Sequence, residues 1–254
     1  GKLLLTVKNF DAMPVSWTGS SSNKWNVDGD ANFKKDITAE ASVFYNGADV
    51  TFNDSASRFD VTLTSNVAPA SILFANEEND YTVSGKVSIV GEPDIKKTGG
   101  AKVTISNVNT AGNTTIEGGS LYVTSLANGI GTECGALGTA SKSITLKGGA
   151  TFGVSNTLRG SQRVVCGEGN GTIDVPSGMT FTQSGVIVSS NGGQLVKTGS
   201  GTLLSTGSLN VPKVRVSGGA LDYTGSAYSN MVTLENSAAL YGVGMRTAPL
   251  AVEE

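Results

Sequence analysis

A short pattern recurs along this chain. An apolar–polar–apolar triplet recurs, as in Val50-Thr51-Phe52, Val61-Thr62-Leu63, Val87-Ser88-Ile89, Val103-Thr104-Ile105 and Ile144-Thr145-Leu146, and several copies lead into a glycine-bearing corner, such as Gly91 and Gly148. Further copies are Ile173-Asp174-Val175, Val214-Arg215-Val216 and Val232-Thr233-Leu234. Alternation with period two predicts strands whose Val, Ile and Leu side chains share one face, with Thr or a charged residue on the other. β-branched residues suit such a half-buried pleated surface. Strands this short do not make a stable open sheet, so each is expected to stack on copies of itself.

A longer repeat overlies the triplets. Lys97-Thr98-Gly99 returns as Lys197-Thr198-Gly199, and Ile116-Glu117-Gly118-Gly119-Ser120-Leu121 returns as Val216-Ser217-Gly218-Gly219-Ala220-Leu221, each 100 residues on. Taking Ile95, Ile116, Leu146, Val175, Val196, Val216 and Leu234 as the last apolar residues of comparable strands gives steps of 21, 30, 29, 21, 20 and 18 residues. Steps near 20 fit one coil of a parallel β-helix. The two longer steps predict inserted loops around residues 126–142 and 155–170, and glycine pairs at 118–119, 148–149 and 218–219 permit φ > 0 at the corners. A β-sandwich would need longer strands joined by hairpins, and Asn46-Gly47, Asp28-Gly29 and Asn128-Gly129 do not sit between paired strands. A propeller would repeat at roughly 40–50 residues with blade motifs that are absent. The interior is expected to be lined by Val103, Ile105, Ile116, Leu121, Ile144, Leu146, Ile173, Val175, Val196, Val214, Val216, Leu221, Val232 and Leu234.

Composition agrees with that architecture. Glycine contributes 34 of 254 residues, aromatics 6 % and charged residues 15 %, so polarity comes from Ser, Thr, Asn and Gly, as in secreted proteins rich in short strands and tight turns. No apolar run approaches the ~20 residues of a spanning helix. A net charge of −3 gives no electrostatic case for nucleic acid. The start, Gly1-Lys2-Leu3-Leu4-Leu5-Thr6-Val7-Lys8, has too short an apolar stretch for an export signal, and such a signal is expected to have stood upstream.

Several segments resemble the autotransporter-associated β-strand repeat proteins. Leu195-Val196-Lys197-Thr198-Gly199-Ser200-Gly201-Thr202-Leu203-Leu204 is similar to that family's Lys-x-Gly-x-Gly-x-Leu strand signature. Residues 112–152, with Gly118-Gly119-Ser120-Leu121, Gly135-Ala136-Leu137-Gly138 and Gly148-Gly149-Ala150-Thr151-Phe152, resemble the segment that follows it. Trp17-Thr18-Gly19, Trp25-Asn26, Ala31-Asn32-Phe33 and Val50-Thr51-Phe52-Asn53-Asp54 resemble its opening, so the likeness spans about residues 16 to 224. The first Lys-Thr-Gly copy departs from the pattern, because Gly99-Gly100-Ala101 lacks the second spaced glycine. No segment resembles the translocator barrel that usually follows. The resemblance implies a right-handed parallel β-helix displayed on a bacterial surface, used for adhesion or scaffolding, with no catalytic residues to carry over.

The residues themselves leave little room for catalysis. With no histidine, Ser-His-Asp and Cys-His mechanisms and most imidazole zinc sites are excluded. Gly167-Glu168-Gly169-Asn170-Gly171 matches neither a phosphate-binding loop nor a dinucleotide fingerprint and reads as a turn. Carboxylates remain. Asp174 and Arg215 should point outward, as should Glu117, Lys147 and Glu235, but they form no obvious acidic pair of the kind glycosidases use. Asn26-Val27-Asp28-Gly29-Asp30-Ala31-Asn32 alternates oxygen side chains as calcium loops do, yet lacks the bidentate Glu, and reads as an Asx-rich turn. Neither metal nor cofactor is expected. Trp17 and Trp25, with Phe33, form either a sugar-stacking platform or the cover of the first coil.

The two cysteines invite pairing. Cys134 lies 18 residues after Ile116 and Cys166 20 after Leu146, so each falls at nearly the same place in successive coils. Stacked strands lie ~4.8 Å apart, within the Cα–Cα range of a disulfide. A Cys134–Cys166 bond is therefore expected in an exported protein, against the alternative of two buried thiols acting as small apolar residues. The chain is expected to divide into a cap at 1–40, coils at 41–240 and a tail or partial cap at 241–254. Two functions stand side by side. One is a non-enzymatic structural or adhesive solenoid, secreted or on the outer-membrane surface, whose partners are host or bacterial surface glycans or proteins and which belongs to a longer chain. The other is a carbohydrate-active β-helix: a polysaccharide-binding module, lyase or hydrolase.

Overall fold

The triplets form strands, and the strands stack. In the computed structural model, which describes residues 13–129, 133–229, 231–242, 245–246 and 250–252, the chain winds into a parallel β-solenoid of about nine turns with coils about 22 residues apart. No described residue is helical. Each coil places one strand in a first sheet and one in a second, 13 and 11 strands respectively among the described residues. In the first sheet Val50, Ile72, Ile95, Thr114, Ile144, Val164, Ile187 and Leu209 follow one another in register, and their side chains form one interior column. In the second, Tyr81, Val103, Leu121, Phe152 and Ile173 do the same. Apolar side chains stacked one strand spacing apart exclude water along the whole axis, which is why such short strands hold.

The third side of the coil changes along the axis. Up to about residue 154 it has only isolated contacts, such as the parallel bridge between Val67 and Ile89. From Leu158–Gly160 onward it is a sheet of five strands: Leu158–Gly160, Thr180–Gln183, Thr202–Ser205, Ala220–Tyr223 and Ala239–Gly242. The 126–142 stretch is an insertion, and carries the small antiparallel pair of Cys134–Gly135 with Gly138–Thr139. The 155–170 stretch is not. It supplies two regular rungs, Leu158–Gly160 and Arg163–Cys166. Leu146 and Val175 are not equivalent, because Leu146 belongs to the first sheet, opposite Cys166, whereas Val175 follows a strand of the second. Triplets look alike in every sheet, so spacing alone cannot tell them apart.

Beside the third side, buried side-chain amides add to the backbone ladder. Asn109 accepts from the Ile89 N–H at 2.9 Å and donates to the Ala136 carbonyl at 2.9 Å. Gln162 donates to the Leu137 carbonyl at 2.8 Å and Gln183 to that of Gln162 at 2.6 Å. These amides are buried, and satisfying otherwise orphaned backbone groups is what lets the inserted segment pack against the core.

Of the interior residues expected from the alternation, all but Leu234 are buried, and Leu234 is half-buried against the core. Val196 is buried but lies in register with Thr172 and Arg215 on the outward side of its strand. The inward positions there are Leu195 and Lys197. At the N-terminal end Val15–Trp17 pairs in parallel with Asp49–Phe52 but antiparallel with Phe33–Lys35, which pairs antiparallel with Ala41–Ser42. That reversal ends the parallel ladder in a two-residue edge, a poor template for further strands. Residues 1–12 of the expected cap lie outside the described residues. At the other end Ala239–Gly242, Met245–Arg246 and Leu250–Val252 each pair in parallel with the rung before them. The described part of 241–254 thus continues the coils rather than forming a tail. Residues 243–244, 247–249 and 253–254 lie outside the described residues.

Candidate functional site

Trp17 and Trp25 are both 0 % exposed, so neither offers a face to a sugar. They cover the first coil instead. Trp17 meets Phe33 edge-on at 5.2 Å, Trp25 meets Phe44 and Phe52 at 5.4 Å each, and the Trp17 indole N–H donates to the Arg58 carbonyl at 2.8 Å. A coil end needs bulk to seal its aliphatic core, and aromatic rings provide the most area per side chain. The Asn26–Asn32 turn is equally occupied. Asn26 Oδ1 accepts from the Asp30 N–H, Asp30 from the Ser22 hydroxyl, and buried Asn32 from the N–H groups of Ser21 and Ser22. Among the described residues, no group of three or more His, Cys, Asp or Glu is placed to hold a metal ion.

The charges expected on the outward faces are engaged with neighbouring side chains. Glu117 bridges Lys96 at 2.8 Å and Lys147 at 3.2 Å, and the hydrogen bonds from these two lysines hold its carboxyl below the usual range. Arg215 meets Glu235 at 3.4 Å, and Glu235 accepts from the Ser217 hydroxyl at 2.7 Å. Asp174 accepts from the Thr198 hydroxyl at 2.8 Å on one oxygen and from the Tyr122 phenol at 2.9 Å on the other. Burial, then the bond to Asp174, raises the Tyr122 pKa. Asp174 and Arg215 lie on different rungs with Val196 and Thr198 between them, so they are not brought together as an acid–base pair.

The Lys-Thr-Gly repeat proves to be a corner clamp. Lys97 and Lys197 are each 0 % exposed and take aliphatic places in interior columns, Lys97 between Phe74 and Ile116, Lys197 between Ile173 and Val216. The Lys197 ammonium donates to the carbonyls of Thr198 at 2.6 Å, Gly199 at 2.8 Å and Gly218 at 3.2 Å. Lys97 donates to Gly99 in its own corner and to Gly118, one coil on, at 3.5 Å. Each lysine therefore ties its own corner to the Gly-Gly corner 21 residues later. The second glycine of each pair, Gly119 or Gly219, has φ near +60° and sits where a Cβ would strike the carbonyls of the corner below. Burial drives both lysines down to about 8, partly countered by Glu77, Asp54 and Asp80 around Lys97 and by Asp174 beside Lys197. The two copies sit at different corners, the first between first and second sheets, the second between second and third.

No disulfide joins Cys134 and Cys166. The residues in register with Cys166 are Leu146 and Ser189, whereas Cys134 lies half-buried in the inserted hairpin. Cys166 is an interior residue whose thiol is pushed up to about 12 by burial. An insertion lets the chain leave its column, so equal spacing in sequence does not guarantee equal height on the stack. Sequence reasoning also missed Lys97, Lys197 and Tyr122. The exact return of Lys-Thr-Gly was a usable signal for the lysines. Tyr122 had none, since its partners are 31 and 52 residues away.

Among the described residues no helix is long and apolar enough to cross a membrane. Comparison with protein-family models, curated proteins and solved structures gives no match for this chain.

Proposed function

We propose that this chain is a non-enzymatic structural or adhesive β-solenoid module of a secreted or surface-displayed bacterial protein, a rigid spacer whose long outward faces meet host or bacterial glycans or proteins. The observation that carries this reading is the separation of the outward acids: Glu117, Asp174 and Glu235 stand on different coils, Glu117 and Glu235 tied into ion pairs and Asp174 held by two hydroxyls. Glycosidases work with two carboxyl groups flanking one bond, and these acids form no such pair. The autotransporter-associated passenger resemblance supports display on the cell surface and a right-handed coil. The alternative, a carbohydrate-active β-helix, is favoured at one point only, the outward Tyr122 beside Asp174.

Two measurements test the reading. Antibodies against the folded chain should label intact source cells, and beads coated with it should adhere to a surface that uncoated beads do not hold. Labelling only after lysis, or turnover of acidic polysaccharides abolished by Asp174→Asn, would overturn it.

A further inference from the structure

On the outward face of the second sheet, Tyr122, Gly153 and Asp174 follow one another on three successive rungs. The Tyr122 hydroxyl nevertheless reaches Asp174 Oδ2, at 2.9 Å. The ring must therefore pass over Gly153 along the stacking axis. A Cβ built on Gly153 would lie against Cδ1, Cε1 and Cζ of Tyr122 at nearly equal distances, which is an approach to the face of the ring and not to its edge. One face of Tyr122 thus rests on bare backbone, and the other faces away from the sheet.

The neighbouring outward row is low. Ser120, Thr151 and Thr172 occupy it on the same three rungs, and none of these side chains is tall enough to cover the ring. Tyr122 is correspondingly only half-buried. Asp174, steadied by Thr198, keeps acceptor capacity at the far end of the ring, since a carboxylate has about four lone-pair sites and two are used. The result is a flat aromatic surface flanked by three hydroxyls and a fixed carboxylate. An aromatic face carries partial negative charge and attracts C–H groups bearing partial positive charge, and a few convergent polar groups then orient the ligand.

We propose that Tyr122 and Asp174, with Ser120, Thr151 and Thr172, form a binding site for a neutral glycan, one pyranose stacking its C–H face on the Tyr122 ring while its hydroxyls donate to Asp174. The carboxylate selects against uronic acids, which would place like charges together. This deepens the adhesive reading and rests on it, while moving the sugar platform from the buried tryptophans to the side of the solenoid.

The test is titration of the intact chain, followed by NMR or calorimetry, with cellohexaose, laminarihexaose, xylohexaose, mannohexaose and hexagalacturonate. At least one neutral hexasaccharide should bind in the millimolar range or tighter and shift the Tyr122 ring signals, while hexagalacturonate should bind more weakly. Tyr122→Phe keeps the platform and should bind within about threefold of wild type, whereas Tyr122→Leu still covers Gly153 but lacks the aromatic face and should lose about tenfold or more. Near-equal melting temperatures of the two variants separate loss of stacking from loss of fold. Binding of no neutral sugar below roughly 10 mM, equal binding by Tyr122→Leu, or preference for hexagalacturonate would overturn the site. Bead adhesion that survives Tyr122→Leu would sink this site and leave the adhesive reading standing.

Discussion

Burying an ammonium inside an aliphatic column should make stability climb with pH where most proteins level off. In the fold Lys97 and Lys197 lose their protons near pH 8, whereas a lysine in the unfolded chain does so near 10.4. Between those values the unfolded state binds one more proton per lysine, so the free energy of unfolding rises with pH. From pH 7 to 9.5 the gain is on the order of 2 kcal/mol per lysine, about 4 for the pair. Other groups act the opposite way. Cys166 ionises near 8.5 when unfolded and at about 12 in the core, which removes on the order of 1 kcal/mol by pH 9.5. The buried tyrosines begin to oppose folding only above about pH 10. A double variant, Lys97→Met with Lys197→Met, keeps the aliphatic stems and all the opposing groups but removes both ammonium ions. Urea midpoints of wild type and variant at pH 7, 8, 9 and 9.5 give the comparison. Wild type should gain about 4 kcal/mol relative to the variant across the series. Parallel curves would refute the reasoning, as would lysine 13Cε resonances that titrate only near 10.4.

Three further outcomes follow from the packing. Val216, fully buried between Lys197 and Leu234, should cost about 1–3 kcal/mol when cut to alanine, measured as a shift in urea midpoint. Asp54 accepts the N–H groups of Glu77 at 2.6 Å, Glu78 at 3.2 Å and Asn79 at 2.9 Å, pinning the corner of the next coil; Asp54→Ala should cost about 1–3 kcal/mol. Its cost should shrink in acid: burial alone would raise the carboxyl's pKa, but these bonds outweigh burial and hold it below the usual value, so the stabilisation is present above the unfolded pKa near 3.9 and is lost as pH falls through the folded value. Intact mass under non-reducing conditions should show no loss of two hydrogens, and Cys166 should resist alkylation until the chain is denatured.

The sequence by itself determined the strand, its inner face and the need to stack. Alternation with period two is a local property, and Val103, Ile144, Ile173 and Val214 all sit inside as their neighbours dictate. Glycine pairs marked the corners for an equally local reason, the positive φ at Gly119 and Gly219. What only the tertiary structure decided is height and side: which rung a residue shares and which sheet it belongs to. The insertion at 126–142 displaced Cys134 from the column of Cys166, and the step from Leu146 to Val175 looked like a second insertion because it runs one full coil and then on from the first sheet to the second. Lys197 looked like the outward partner of an inward Val196, because polarity usually tells inside from outside; here three backbone carbonyls at the corner make a buried ammonium tolerable. Tyr122 meets Asp174 only because two turns of the coil carry the chain back to the same face. Contacts across turns depend on the summed length of every loop between, a quantity that no local pattern encodes.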